Sequence, residues 1–422
     1  MTLWRTTSAI GFAAAQMVFA FAHPAAAQTS ELDIERQSVL QRARPDYDPL
    51  GAHLGSFLLY PSADISEAYD TNVFATQTDA KADLLTTFSP AAQLRSDWNN
   101  DALNFVASGQ VKRYATQVGE NNTNALVGTD GRLDIERDVY FTGLLNYQQL
   151  HEDRASPNTL VNQKNPTEYQ QVSSDIGYVH ESGRLGLRAD GSVTYYTYDN
   201  ELTLANTPIP ETGRDRIEYS FGPRVSYGII PGYEAFVQAR GNYRQYMSQI
   251  STTGFDLTSR GYTIDAGTAV HLGATVNGEL FAGWFTQNYD DSRLTPVSGP
   301  HFGGSLLWNV TQQTSIRGSL ARTIEETIVF PASSFVQTAS LLSAEHELRR
   351  NVLLSAGVGY IVQDFQGLTR TDQNYEANIG TRYLMSRNLT SGVAVTWTNR
   401  QSTALDNNYD RFLFSADIRL QF

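Results

Sequence analysis

The sequence contains no cysteine, which removes disulfide frameworks, C-x-x-C redox pairs, thiolate metal sites and cysteine nucleophiles. Beyond residue 27 it also lacks any apolar run approaching the roughly 20 residues that a membrane helix needs. Basic charge is in the minority: 31 Lys and Arg stand against 44 Asp and Glu, a formal net charge of -13. That balance argues against nucleic acid as a partner, because duplex binding rests on Lys and Arg neutralising phosphates. Gly-rich phosphate loops and H-E-x-x-H are absent, and Gly303-Gly304-Ser305 is no nucleophile elbow because no helical pattern follows it. The residues specify no catalytic set, no metal ligands and no cofactor, so the chain is not read as an enzyme.

What is present begins with an export signal. Arg5 supplies a positive start, residues 8–22 are apolar, and Ala25-Ala26-Ala27 before Gln28 forms a small-residue cleavage site. Cleavage after residue 27 removes one Arg and no acid, giving 30 - 44 = -14 for the mature chain. Residues 28–53 read as an N-terminal segment or small plug on the periplasmic side, with a short helix expected over residues 31–44 ahead of Pro45. From residue 54 to Phe422 the texture is uniform.

Apolar and polar residues alternate there, the two-residue period of a strand whose faces meet different surroundings. In the last segment Phe412, Phe414, Ala416, Ile418, Leu420 and Phe422 oppose Arg411, Ser415, Asp417, Arg419 and Gln421. A soluble sandwich would alternate too, but its strands centre on about 5–6 residues. These segments run to about 10 or more, the length of a tilted strand crossing a bilayer. Tight turns, such as Arg137-Asp138 and Ile230-Pro231-Gly232, take turns with longer polar loops near 70–82, 154–165, 199–214, 248–258, 289–298 and 402–408. Aromatic residues gather at segment ends. Trp98, Tyr140, Tyr178, Tyr227, Tyr233, Trp308, Tyr383 and Phe422 flank the tight turns, and Tyr69, Tyr147, Tyr198, Tyr262, Tyr289 and Trp397 flank the loops. Two aromatic belts and alternating loop lengths are features of outer-membrane barrels. The expected fold is therefore an all-β, transmembrane, antiparallel up-and-down barrel. It has about 18 strands, beginning near residues 54, 83, 102, 123, 138, 167, 184, 215, 232, 259, 275, 300, 312, 334, 351, 372, 388 and 408. The spans near 83 and 334 are the least regular, which keeps 16 strands as the alternative.

On that pattern the polar face lines a lumen. Lys112, Arg132, Arg188, Arg224, Arg240, Arg244, Arg317 and Arg382 fall on it, interleaved with Asp130, Asp134, Asp175, Asp190, Glu218, Asp265 and Glu376. A wide lumen holds water, so these groups stay ionised, whereas an Arg facing lipid near midplane would cost about 2–4 kcal/mol. His151-Glu152-Asp153 is read as part of a solvated outer loop rather than a catalytic site. Tyr69-Asp70, Tyr198-Asp199, Tyr289-Asp290 and Tyr409-Asp410 recur at the outer rim, where Tyr is expected to anchor the interface and Asp to start the loop.

Residues 47–76, Y-D-P-L-G-A-H-L-G-S-F-L-L-Y-P-S-A-D-I-S-E-A-Y-D-T-N-V-F-A-T, resemble the opening of the putative β-barrel porin 2 family. The closing R-F-L-F-S-A-D-I-R-L-Q-F resembles the terminal signal of outer-membrane barrels, with Ile418, Leu420 and Phe422 read by the barrel assembly machinery. The likeness spans essentially the whole mature chain and brings no catalytic motif. It implies an integral protein of the Gram-negative outer membrane, in contact with its lipids and lipopolysaccharide. Family members often stand beside exopolysaccharide or capsule export genes, so polysaccharide export machinery is an implied partner. Unlike some export barrels, this chain has no helical-repeat domain. The first functional reading is a channel passing exopolysaccharide or another polar solute. The alternative is a general or solute-selective diffusion porin, for which a longer, inward-folding loop is expected; the loops here read as modest, the longest near 199–214. A surface enzyme or a structural barrel stands third.

Overall fold

The computed structural model describes residues 37–159, 163–248 and 254–422, so the expected export signal and most of the segment expected to be helical lie outside the described residues. Eighteen long strands form the barrel. They are β1 (Phe57–Asp70), β2 (Asp83–Ser96), β3 (Ala102–Tyr114), β4 (Asn122–Glu136), β5 (Val139–His151) and β6 (Glu168–Ser182). The ring continues with β7 (Leu185–Tyr198), β8 (Arg216–Ile230), β9 (Tyr233–Tyr246), β10 (Ser259–Leu272), β11 (Val276–Tyr289) and β12 (Val297–Thr311). It is completed by β13 (Thr314–Glu326), β14 (Ser334–Arg349), β15 (Val352–Gln366), β16 (Thr371–Leu384), β17 (Leu389–Ser402) and β18 (Tyr409–Gln421). Each pairs antiparallel with the next, and the ring closes where Ser62–Asp70 of β1 meet Leu413–Gln421 of β18. Closure leaves no edge strand, the requirement for a sheet in lipid, although β12 and β13 pair only from Gly303 and Ala321 towards their turn. Every strand starts within three residues of its expected position, and 18 is the count.

At its turn end β1 outruns β18, and the chain covers that gap itself: Ala52–Leu54 fold back to pair with Leu59, Leu58 and Phe57. The Phe422 N–H donates to the Pro61 carbonyl at 3.1 Å, completing the seam. Short turns join β2–β3, β4–β5 and so on at this end, with Gln37 and Phe422 beside them, and the longer loops gather at the other. The β8–β9 turn shows the turn chemistry. Pro231 pre-sets its own backbone angle, and Gly232 adopts φ +82°, where a Cβ would meet the His271 carbonyl oxygen at 2.6 Å. The connections at 273–275, 312–313, 115–121, 327–333 and 367–370 fall at strand boundaries expected near 275, 312, 123, 334 and 372, although no strong breaker cluster singles them out as turns or loops.

Side chains alternate as the pleat requires. On β9, Val237 is 57% exposed on the outward face while its neighbour Phe236 is 3% exposed on the inward one. Ile418, Leu420 and Phe422 all project outward and are exposed. Arg322 is an exception on the outward face, where its Nη1 donates to Thr338 Oγ1 at 2.6 Å and its guanidinium lies 5.8 Å from the Phe302 ring.

Three expectations need correction. Aromatic position along the strand puts Tyr140, Tyr198 and Tyr289 in the interface belts, yet they share inward parity with Thr142, Arg188 and Gln287 on their own strands. The same parity turns Tyr409 inward beside Arg411, so of the four Tyr-Asp pairs only Tyr69 presents its ring outward, at 46% exposure. Finally, from Gln37 onward the segment expected to be helical forms only a single 3-10 turn, Val39–Gln41. The Val39 and Leu40 N–H groups donate to Ser315 Oγ at 2.8 Å and Glu345 Oε2 at 2.9 Å, so barrel side chains replace the helical acceptors. Arg44 pairs with Glu347 at 2.9 Å, and Leu40 packs with Leu353, Leu384 and Tyr47, all against the inner wall at the turn end.

Candidate functional site

The inward faces converge on the loop end of the lumen. On β18, Arg411 grips Asp70 of β1 through Nε at 3.0 Å and Nη2 at 2.6 Å, and reaches Asp153 at 3.5 Å. Asp70 is completely buried, so only a paired, hydrogen-bonded charge is tolerated there. Asp70 also accepts the Asn72 N–H at 2.9 Å, tying the start of the β1–β2 loop to the same node.

The loop between β5 and β6, described over residues 152–159 and 163–167, folds into the barrel. At its root Glu152 pairs with Arg214, and Arg154 pairs with Glu120 at 2.6 Å. Further along, the Ala155 carbonyl accepts from Arg400 Nη2 on β17, and Ala155 is buried. Asn158 Oδ1 accepts from Thr327 Oγ1 at 3.0 Å and from the Ile328 N–H at 3.2 Å. Thr327 and Ile328 sit between β13 and β14, eight strands round an 18-strand ring from the loop's root (13 - 5 = 8). The loop therefore reaches close to the opposite wall. This corrects two readings: an inward-folding loop exists, and Glu152 and Asp153 are paired inside the mouth rather than solvated. Polar loop residues carry no periodicity, and the partners lie up to 258 positions away in the chain, so pattern reading had no signal for them.

The β7–β8 loop, residues 199–215, packs on the same node. Arg214 lies between Glu152 and Glu211 with its guanidinium 3.9 Å from the Tyr198 ring. Burial works against its charge, but Glu152, Tyr198 and Glu211 outweigh that and raise its pKa. Burial raises the Glu211 carboxyl, an effect that Arg214 partly offsets. In the small hairpin Glu201–Leu202/Pro208–Ile209, burial pushes Glu201 up to about 7. Arg244 and Tyr246 of β9 reach Glu326 at the end of β13, with Tyr246 Oη donating at 2.7 Å.

The charged residues singled out from the sequence all occupy inward positions, and most have partners. Arg132 pairs with Asp134 at 2.6 Å and lies over Tyr140; Asp130 accepts from Asn104 at 2.9 Å; Arg188 pairs with Asp190 at 3.0 Å. Glu218 pairs with Arg216 at 2.7 Å, Arg224 with Glu279 at 3.0 Å, and Arg240 donates to Ser220 Oγ at 3.0 Å. Asp265 meets His301 at 2.7 Å, and Arg317 donates to Gln41 of the N-terminal segment at 3.2 Å. Arg382 shares a row with Asp417 across Gly392, where a Cβ would lie 2.4 Å from the Asp417 Oδ1 atom. Lys112 faces a cavity of about 260 Å³ at the loop end, also lined by Gln110, Tyr114, Asn122 and Asp153. Arg400, Arg411 and Arg214, which hold the inward loop, are outside that set. The alternation puts Arg411 on the polar face, but its partnership with Asp70 follows only from the closing register.

A sequence profile described as Putative beta-barrel porin 2 matches residues 44–422. The chain belongs to that family. No curated protein sequence matches this family member. Among solved structures it is similar to Pseudomonas aeruginosa OpdK with vanillate: 9% identity, TM-score 0.45, covering 86% of this chain and 99% of that one. It is also similar to OpdL of the same organism, at 11% identity and TM-score 0.43, covering 87% of this chain and 100% of that one. A mutant of the ferric enterobactin receptor PfeA of P. aeruginosa shares 7% identity with a TM-score of 0.45, covering 86% of this chain and 80% of that one. At these TM-scores the likenesses carry no argument about this porin-family chain.

Proposed function

We propose that this porin-family barrel is a diffusion channel for small polar solutes in the outer membrane of a Gram-negative cell, with the inward arm at residues 152–159 as its constriction. The observation that carries the reading is the reach of that loop from the β5–β6 root to Thr327 and Ile328. A ring of 16–18 strands encloses water where eight would be filled by side chains, and an inward loop narrows such a ring to solute size. The inward charges, from Lys112 to Arg382, are the groups a passing solute would meet. Barrel architecture, with no nucleophile–base constellation among the described residues, favours a channel over a surface enzyme. Outer-membrane lipids, lipopolysaccharide and the assembly machinery reading Ile418, Leu420 and Phe422 are its expected partners.

Exopolysaccharide export is the second reading and draws on the family's usual setting. A polymer would need the tethers at Ala155 and Asn158 released during passage, so the tethered loop favours small solutes. Liposome swelling separates them: small sugars should enter quickly and long oligosaccharides should not. Equal swelling rates across that size range would refute the constriction, and loss of secreted polysaccharide on gene deletion would favour export.

A further inference from the structure

The loop-end cavity of about 260 Å³ has a polar balance that the channel reading leaves unused. Its charged lining is matched three against three: Lys112, Arg154 and Arg411 against Glu120, Glu152 and Asp153. Both arginines are spent on carboxylates, Arg154 on Glu120 and Arg411 on Asp70. Glu152 is engaged by Arg214, and Asp153 by the Ala155 N–H at 2.8 Å and by Arg411. Among the described residues, no hydrogen bond or ion pair engages the Lys112 ammonium. The Tyr114 hydroxyl, which also lines the cavity, has no hydrogen-bond partner among the described residues and is not occluded. The site thus offers an ammonium donor and a phenol hydroxyl, itself both donor and acceptor, within a charge-neutral wall, with the Tyr114 ring as an apolar surface beside them.

We infer that this cavity is a solute subsite for a neutral, hydroxyl-rich molecule the size of a single sugar. The inference rests on the channel reading for its physiological sense, but not for its test. A hydroxyl both donates and accepts, so a polyol can accept from the Lys112 ammonium and exchange a hydrogen bond with the Tyr114 hydroxyl at once. An anion would gain little, because the wall carries as many carboxylates as cations and Asp153 stands close to Lys112. The size follows from volume: at about 30 Å³ per water the cavity holds roughly nine waters, room for one ring and its hydroxyls. A site built to hydrogen-bond hydroxyls discriminates strongly against analogues lacking them.

Saturation-transfer NMR on the folded, detergent-solubilised protein tests this with glucose, galactose, mannose and glucuronate. At least one neutral hexose should give a signal that falls fivefold or more in Lys112→Met, and likewise in Gln110→Trp, which fills the cavity while removing only the Asn124–Gln110 bond. Heat-modifiable gel mobility verifies folding, and either variant alone decides if the other misfolds. No signal from any hexose, a signal surviving in the folded variants, or a stronger signal from glucuronate would each overturn the inference. Planar-bilayer conductance is read separately. Sugar binding with a silent bilayer would refute the channel and leave the subsite, whereas conductance without sugar binding would refute the subsite alone.

Discussion

Releasing the far end of the inward loop should widen the channel without unfolding the barrel. Among the described residues, three hydrogen bonds hold that end: Arg400 to the Ala155 carbonyl, and Thr327 and Ile328 to Asn158 Oδ1. A neutral bond contributes about 1 kcal/mol net and one from a charged donor about 1.5–3 kcal/mol, which sums to about 3.5–5 kcal/mol. Since each 1.4 kcal/mol is tenfold, the double variant Asn158→Ala/Arg400→Met should shift the loop's docked-to-released balance by roughly three hundred- to several thousand-fold. The root stays fixed, because Arg154–Glu120 and Glu152–Arg214 are untouched, and so do the strand ladders. Single-channel recordings should show a larger mean conductance with more frequent transitions, and liposomes should admit larger sugars. A folded variant with unchanged conductance and unchanged size limit would refute the claim that residues 152–159 set the constriction.

Breaking the seam node is expected to weaken the barrel itself: Asp70→Asn leaves Arg411 buried without its carboxylate, a loss of about 3–5 kcal/mol readable as a lower urea midpoint. Arg240→Glu with Arg244→Glu replaces two cations by two anions on the inward face, so the reversal potential in a salt gradient should move towards cation selectivity, and no movement would take those residues off the conducting path. Phe422→Ser should lower the fraction of heat-modifiable barrel in cell envelopes if the outward-facing terminal aromatic is the assembly signal. Glu201 has its carboxyl raised from 4.5 to about 7, so the stability it gives the β7–β8 hairpin is present in full below about 4.5 and lost as pH rises through 7. Hydrogen-exchange protection over 199–215 should be higher at pH 5 than at pH 8, and Glu201→Gln should flatten the difference; greater protection at pH 8 would contradict the sign.

The strands were legible because a two-sided strand between oil and water must alternate, and Val237/Gln238 or Phe414/Ser415 carry that pattern in any window. The aromatic belts were less so. Tyr198 and Tyr289 sit near strand ends, where aromatic character alone suggests an interface. Counting by twos from Asp190 or Gln287 turns them inward instead, so parity was the better guide. The site was harder to read still. Asp70 and Arg411 lie 341 positions apart and meet only because the last strand closes on the first. The path of residues 152–159 depends on distant single side chains such as Thr327 and Arg400, and no local pattern encodes it.

The absence of native cysteine permits a direct test of the sealed, water-filled cylinder, using Val237→Cys and Gln238→Cys in reconstituted bilayers. A charged, membrane-impermeant thiosulfonate should modify Gln238→Cys and change its current, while Val237→Cys stays unreactive towards it. Equal labelling at the two neighbours, or labelling of Val237→Cys alone, would contradict the account.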